Sequence, residues 1–400
     1  MNDTAIFFLI FLSLAIGYLL GRLSSFSWTE KLWPREKAKF DQAEYIRGLN
    51  HLLNENADAA ADILVSALEV SSETLHTHMA LGALLRKQGD IGRAISIHQN
   101  LLSRPSLSLT QQQYAQLELG LDYMKAGVLD RAENVFLELK SSQDLTLQRR
   151  ALEYLCDIYR DEKEWLSAIE AVDHLLDKKI VEDITLWRKV QAHHYCELGG
   201  VMLMQNDFIS AQKAFSEALN YNKNCARASL ELSGVYVMEG SYKESIRHLK
   251  KVPDQDADYI PEVLPRLVEC YAKHGSVREL IRYLIALHDR YPSSSVLLSV
   301  VELVKSMDGS AAASNFLAEK LQSRPSLRVV GKFLTFQKDN SQEEKNRPEK
   351  VTELLLRHLV ELKPYYRCNS CGFAGNQLYW LCPSCKSWES IRAVRGIDGE

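Results

Sequence analysis

One block of residue types recurs along this chain at fixed internal offsets, and that recurrence restricts the fold more than any other feature. Gly82, Leu85, Gly89, Ala94, His98 and Leu101 make one copy. Leu119-Gly120, Tyr123, Gly127, Ala132, Phe136 and Leu139 make the next, and Leu198-Gly199, Met202, Asn206, Ala211, Phe215 and Ala218 another. The offsets have a physical cause. A small residue in one helix and an alanine in the next let two antiparallel helices cross closely, while a large residue fills the gap on either side. The Gly or Asn between them takes the left-handed conformation that ends the first helix. With the first-helix small position as marker, copies fall at Gly48, Gly82, Gly120, Cys156, Gly199, Ser233, Val268 and Glu302, at intervals of 34, 38, 36, 43, 34, 35 and 34. The longer intervals read as loop insertions between repeats. Pro253, Pro261 and Pro265 are expected to interrupt helices in the later, more degenerate copies.

These offsets resemble those of the tetratricopeptide repeat family, whose period is about 34 residues. The resemblance implies an all-α superhelix, or α-solenoid, of about eight repeats over residues 42–337. Such an array buries each repeat on its neighbours and presents a groove that takes peptides or protein surfaces. His78, Gln116, Tyr195 and Asn206 on the first helices are candidate groove residues. Composition agrees with a folded helical chain, since 10 Pro and 19 Gly in 400 residues are few for a turn-rich β architecture. A net charge of −4 gives no basic face for nucleic acid.

The N-terminus carries a second constraint. Residues 5–20, AIFFLIFLSLAIGYLL, are uncharged and almost wholly apolar. Extended to Thr4–Leu23, at about 1.5 Å per residue, the segment matches a hydrocarbon core of roughly 30 Å. A cleaved signal peptide would open with Lys or Arg, whereas this chain opens Met1-Asn2-Asp3-Thr4, and no clear small-x-small site follows the apolar run. Arg22, Lys31, Arg35, Lys37 and Lys39 follow the segment while only Asp3 precedes it. The positive-inside bias therefore places the N-terminus in the periplasm and the bulk of the chain in the cytoplasm, on a single-pass anchor over 1–23 and a juxtamembrane linker over 24–41. Tyr18, Trp28 and Trp33 are placed as interfacial aromatics, and Gly17 and Gly21 form a small-xxx-small pattern through which two anchors can approach as a homodimer.

The eight cysteines divide in two. Cys156, Cys196, Cys225 and Cys270 stand singly in helical patterns and read as small buried hydrophobes. Cys368, Cys371, Cys382 and Cys385 form two C-x₂-C pairs with ten residues between them. Each tight turn directs two thiolates at one point, so two turns close a tetrahedral shell around one ion. Two disulfides are the alternative, and a reducing cytoplasm disfavours them. Gly372 suits a turn whose amides point at sulfur, and Arg367, Lys386, Arg392 and Arg395 are near enough in sequence to offset the shell's net charge. Residues 338–348 read as a linker and 349–362 as a helix opening a metal-binding domain over 349–400. The linker is short enough to let this domain pack back onto the last repeats.

The knuckles resemble those of rubredoxins and zinc ribbons, with two departures. The ten-residue gap is too short for a complete rubredoxin, and Lys386 stands where the second knuckle normally has Gly. Four thiolates suit iron or zinc alike, and a closed shell leaves no coordination position for substrate. The sequence contains no G-x-x-x-x-G-K-[ST], G-x-G-x-x-G, H-E-x-x-H or G-x-S-x-G, and His193-His194 sit at successive helical positions that do not share a face. The expected protein is not an enzyme.

In order and length the whole chain resembles the lipopolysaccharide assembly protein B family of Gram-negative bacteria, on the segment Ala5–Leu23, the Leu119-Gly120 and Leu198-Gly199 repeats, and the run Cys368 to Cys385. The resemblance implies an inner-membrane adaptor that limits lipopolysaccharide synthesis by promoting degradation of the lipid A deacetylase through the membrane AAA+ protease. Two other readings stay open: a membrane platform that assembles biosynthetic enzymes without directing proteolysis, and an iron-dependent electron carrier.

Overall fold

The computed structural model describes residues 75–105, 107–321, 327–339, 358 and 363–396. The segment 1–23, the linker 24–41, the repeat around Gly48, and the helix at 349–362 apart from residue 358 lie outside the described residues, as does the linker from 340 onward. No helix among the described residues is long and apolar enough to cross a membrane. The chain divides into two compact units at Val128 and Leu129.

The described part of the first unit holds α1 (Leu75–Gln88), α2 (Ile91–Leu102) and α3 (Leu109–Ala126). The expected turn between α1 and α2 is present, with Gly89 at φ +96 and Asp90 accepting from the Arg93 amide at 3.2 Å to cap α2. A Cβ on Gly82 would meet the His98 ring at 2.5 Å, so the two helices can cross here only without a side chain on α1. His98 occupies the repeat position held by Phe136 and Phe215 in other copies, and a fully buried imidazole needs polar company. It finds the buried Asp122 carboxylate, which Arg86 also contacts at 2.7 Å while reaching Glu118 at 2.6 Å.

The second unit continues with α4 (Leu129–Leu139), α5 (Leu145–Glu162), α6 (Trp165–Asp177), α7 (Ile184–Met204), α8 (Phe208–Tyr221), α9 (Ala226–Met238), α10 (Tyr242–Leu249) and the single turn α11 (Val252–Gln255). After a 3₁₀ turn at Ala257–Tyr259 come α12 (Ile260–His274), α13 (Val277–Arg290), α14 (Ser294–Leu321) and α15 (Leu327–Asp339). Within this unit successive helices pack on one another, and the chain is mostly helical and tetratricopeptide-like. Ala168, Ala211 and Phe215 are fully buried at their repeat positions, and a Cβ on Gly199 would meet the Phe215 ring at 2.5 Å.

Two expectations need correction. Pro253 and Pro261 do not break helices: each sits in the first turn of one, where the missing N–H costs nothing. Only Pro265 lies inside a helix, and α12 runs through it to His274. The 43-residue interval before Gly199 is not simply a loop, because α7 is a 21-residue first helix, longer than its counterparts. The last marker, Glu302, lies in a helical pair as expected, since α14 is kinked at Gly309, whose φ is +88.

The last described segment is a small three-stranded antiparallel sheet in the order β2-β1-β3, with β1 Tyr366–Cys368, β2 Ala374–Gly375 and β3 Ile391–Ala393. Tyr366 faces Gly375 on one side and Ala393 on the other. Its core is Tyr366, Cys368, Cys382, Ile391 and Ala393, too small to stand by apolar burial alone.

Candidate metal centre

The two C-x₂-C turns fold alike. In the first, Gly372 N–H donates to Cys368 C=O at 3.0 Å and Cys368 N–H donates to Phe373 C=O at 2.7 Å. In the second, Lys386 N–H donates to Cys382 C=O at 2.9 Å and Cys382 N–H donates to Ser387 C=O at 3.0 Å. Both turns close on a left-handed residue, Gly372 at φ +79 and Lys386 at φ +57. Lys386 thus adopts the conformation for which glycine is usual.

Facing one another, the turns bring Cys368 Sγ within 3.7 Å of Cys385 Sγ and Cys371 Sγ within 3.7 Å of Cys382 Sγ. All four sulfurs lie within 4.8 Å of one another. A tetrahedron with metal–sulfur bonds of about 2.3 Å has edges of about 3.8 Å, so the thiols already stand where one ion would hold them. Cys368 and Cys382 are buried, Cys385 is half-buried and Cys371 is exposed on the rim. Burial pushes the inner thiols up. At Cys368 the Ser390 hydroxyl and the amides of Cys371 and Ser370 outweigh that and bring the thiol down to about 6. Cys382 stays at about 11, so its thiolate depends on a cation. The four cysteines fit one ion in a tetrathiolate shell, iron or zinc.

Three of the four basic residues expected to offset the shell's charge pair with carboxylates of the repeat region. Arg392 pairs with Asp256 and, at 3.3 Å, with Asp258, and its guanidinium lies 4.8 Å from the Tyr259 ring centre. Arg395 pairs with Asp258, and Lys386 reaches Asp161 at 3.6 Å. They fasten the ribbon to the helices. Tyr366 bonds Glu262, and Tyr365 bonds Ser295 at 3.1 Å. Trp380 rests on Tyr259 with ring centres 4.7 Å apart and receives the Arg227 guanidinium at 5.8 Å. Trp388 stacks on His193 at 4.8 Å, 2° from parallel, and meets His194 edge-on at 6.1 Å. With Leu378, Trp380 also joins the apolar core of α9–α14. The ribbon packs back as the short linker allows, but onto helices from the end of α5 to α15, well beyond the last repeats.

The candidate groove residues scatter. His78 is buried, Asn206 is the left-handed turn residue at φ +61, and Tyr195 stacks on Tyr221 at 5.5 Å. Gln116 is half-buried on α3. The single-cysteine reading holds: Cys156, Cys196, Cys225 and Cys270 are all buried. His193 and His194 occupy successive helical positions, yet both rings are buried against the ribbon. Nothing local signals this, because the partner Trp388 lies almost two hundred residues away.

Comparison with known proteins matches both the ribbon and part of the helical repeats. Residues 366–393 match the rubredoxin metal binding domain, and residues 202–268 match the tetratricopeptide repeat. A crystal structure of MamA protein is 21% identical over 48% of this chain and 96% of its own, with a TM-score of 0.33, a similarity too distant to bear on the fold. Lipopolysaccharide assembly protein B of Haemophilus influenzae is 29% identical over 97% of this chain and 98% of its own length. The protein of that name from Escherichia coli K12 is 32% identical over 98% of this chain and 99% of its own length. With both parts of the architecture and nearly every residue of the chain matched, this protein belongs to the lipopolysaccharide assembly protein B family.

Proposed function

We propose that this chain is a non-catalytic adaptor of the bacterial inner membrane that regulates lipopolysaccharide assembly. In this reading it presents the lipid A deacetylase to the membrane AAA+ protease and so limits synthesis. Residues 4–23 anchor it with the N-terminus in the periplasm and the repeats and ribbon in the cytoplasm, as their flanking charges favour. The observation that carries the reading is the fastening of the ribbon across several repeat helices around a centre with no free coordination position. That arrangement suits a rigid protein-binding platform, and four thiolates leave no position for substrate at that centre. Family membership supplies the pathway, and the anchor shares a bilayer with the protease, which raises effective concentration without added contacts.

The test is the lifetime of the deacetylase in cells after synthesis is stopped. Depleting this protein is expected to prolong that lifetime several-fold, and a form starting at residue 24 at native expression is expected to restore little of it. An unchanged lifetime with altered lipopolysaccharide output would favour a platform that assembles enzymes without directing proteolysis. A reporter fused after Glu400 should report cytoplasm; activity only in the periplasm would reverse the topology.

A further inference from the structure

A second group of metal-ligand side chains lies where the ribbon meets the repeats, apart from the four cysteines. His193 comes from the middle of α7, Cys225 immediately precedes α9, and Glu389 sits on the ribbon just before β3. One ligand atom from each lies within 4.8 Å of the other two. His193 and Cys225 are wholly buried, and Glu389 keeps 17% of its side chain exposed.

The imidazole is the diagnostic group. His193 Nε2 is 3.2 Å from a Glu389 carboxylate oxygen, the distance of an ion pair. Nδ1 has no partner and Nε2 has only that carboxylate, although the residue is 0% exposed. The flat stack on Trp388 fixes the ring plane. An orphaned buried polar atom is unfavourable, and a cation shared with the carboxylate and the thiol would satisfy it. Charge agrees as well: one thiolate and one carboxylate balance a divalent ion, with the imidazole neutral, in an interface where an unbalanced charge is costly. The Cys225 thiol faces the Ala228 amide of the helix it precedes and the Cys196 thiol, one turn along α7 from His193. Three protein ligands leave one position, and a cavity of about 280 Å³ lined by His193, Glu389, Trp388, Lys189 and Arg160 adjoins it and can admit water.

We propose that His193, Cys225 and Glu389 form a second metal site, which takes one divalent transition-metal ion of the zinc class and ties the ribbon to α7 and α9. The mixed nitrogen, sulfur and oxygen donor set suits zinc or cobalt over calcium or magnesium. The site is independent of the partners proposed above, since it asks only what the chain itself binds.

The experiment is a Co²⁺ titration of the full chain, stripped of metal and kept reduced with a non-thiol reductant so that Cys196 and Cys225 stay thiols. Two equivalents are expected to bind: one with the strong sulfur-to-cobalt absorption of four thiolates, the other with a weaker band from one. Cys225→Ala and Glu389→Gln should each saturate at one equivalent and keep the four-thiolate spectrum. That retained spectrum reports that the ribbon is still folded. Saturation of the wild-type chain at a single equivalent would overturn the proposal, and needs no variant to fold. So would a second equivalent that persists in both variants.

Discussion

The helices and the ribbon reach stability by opposite routes. In the repeats each helix buries a face on its neighbours, and residues such as Ala168, Ala211 and Phe215 are wholly withdrawn from water. Removing one contact there leaves the next repeats intact, because stacking energy is shared between neighbours. The ribbon has strands of three, two and three residues and a core of five buried side chains, two of them cysteines. It depends on two things outside its own apolar surface: an ion between four sulfurs, and anchors on the helices. The comparison teaches that this ribbon is not a free module. Its polar residues are spent on attachment, and its metal on local structure.

The largest expected effect therefore falls on the ribbon. Cys382→Ser removes a buried thiolate, and a neutral hydroxyl is a much poorer ligand. Metal binding in small sites of this kind contributes about 10–16 kcal/mol of apparent free energy, so the knuckle should unfold when the shell opens. Far-UV circular dichroism should change little, while the fluorescence of Trp380 and Trp388 shifts as they leave Tyr259 and His193. A variant that keeps a tightly bound ion with the cobalt spectrum of four thiolates would show that these cysteines are not the ligand set.

The matching change in the helices is Phe215→Ala, which empties a fully buried site between α7 and α8. It should cost about 3–5 kcal/mol of stability, read from the denaturation midpoint, with the tetrathiolate ion retained. Loss of that ion from this variant would mean that the metal centre, and not only the ribbon's attachment, depends on the helix packing. Next in size is Arg392→Ala, which strips the partner from Asp256 and Asp258 and uncovers Tyr259. About 1–3 kcal/mol is expected for a part-buried charged bond, appearing as faster proteolysis of the ribbon with the metal still bound.

How much of this was legible in the sequence follows from which signals are local. The turn seven residues beyond each repeat marker is a backbone event, and Gly89, Gly127, Asn206 and Gly240 announce it, since all four hold positive φ. Lys163 holds φ +61 at the same place and announces nothing, because lysine has no preference for that conformation. The cysteine turns were legible for the same reason, being complete within a few residues. The attachment was not. Arg392 and Asp256 are 136 residues apart, and each read alone is an ordinary surface charge. His193 reads as one face of a helix until Trp388 arrives from the ribbon.

Lys386 gives the smallest effect and the finest test of the comparison. Its left-handed backbone is a local cost to the knuckle of about 1 kcal/mol for a residue with a Cβ. Its ammonium meets Asp161 at 3.6 Å, but the two side chains remain 48% and 42% exposed. A pair this open is worth about 0–1 kcal/mol. Lys386→Gly removes the backbone cost and the pair together, while glycine adds about 0.4–1 kcal/mol of freedom to the unfolded chain. These contributions nearly cancel, so stability should stay within about 1 kcal/mol of the parent. The more telling readout is salt. If the pair helps hold the ribbon, the parent's ribbon should become more protease-sensitive as ionic strength rises, and that increment should vanish in Lys386→Gly. The same salt response in both proteins would assign the attachment to Arg392, Tyr366 and the tryptophans, with Lys386 an incidental neighbour of Asp161.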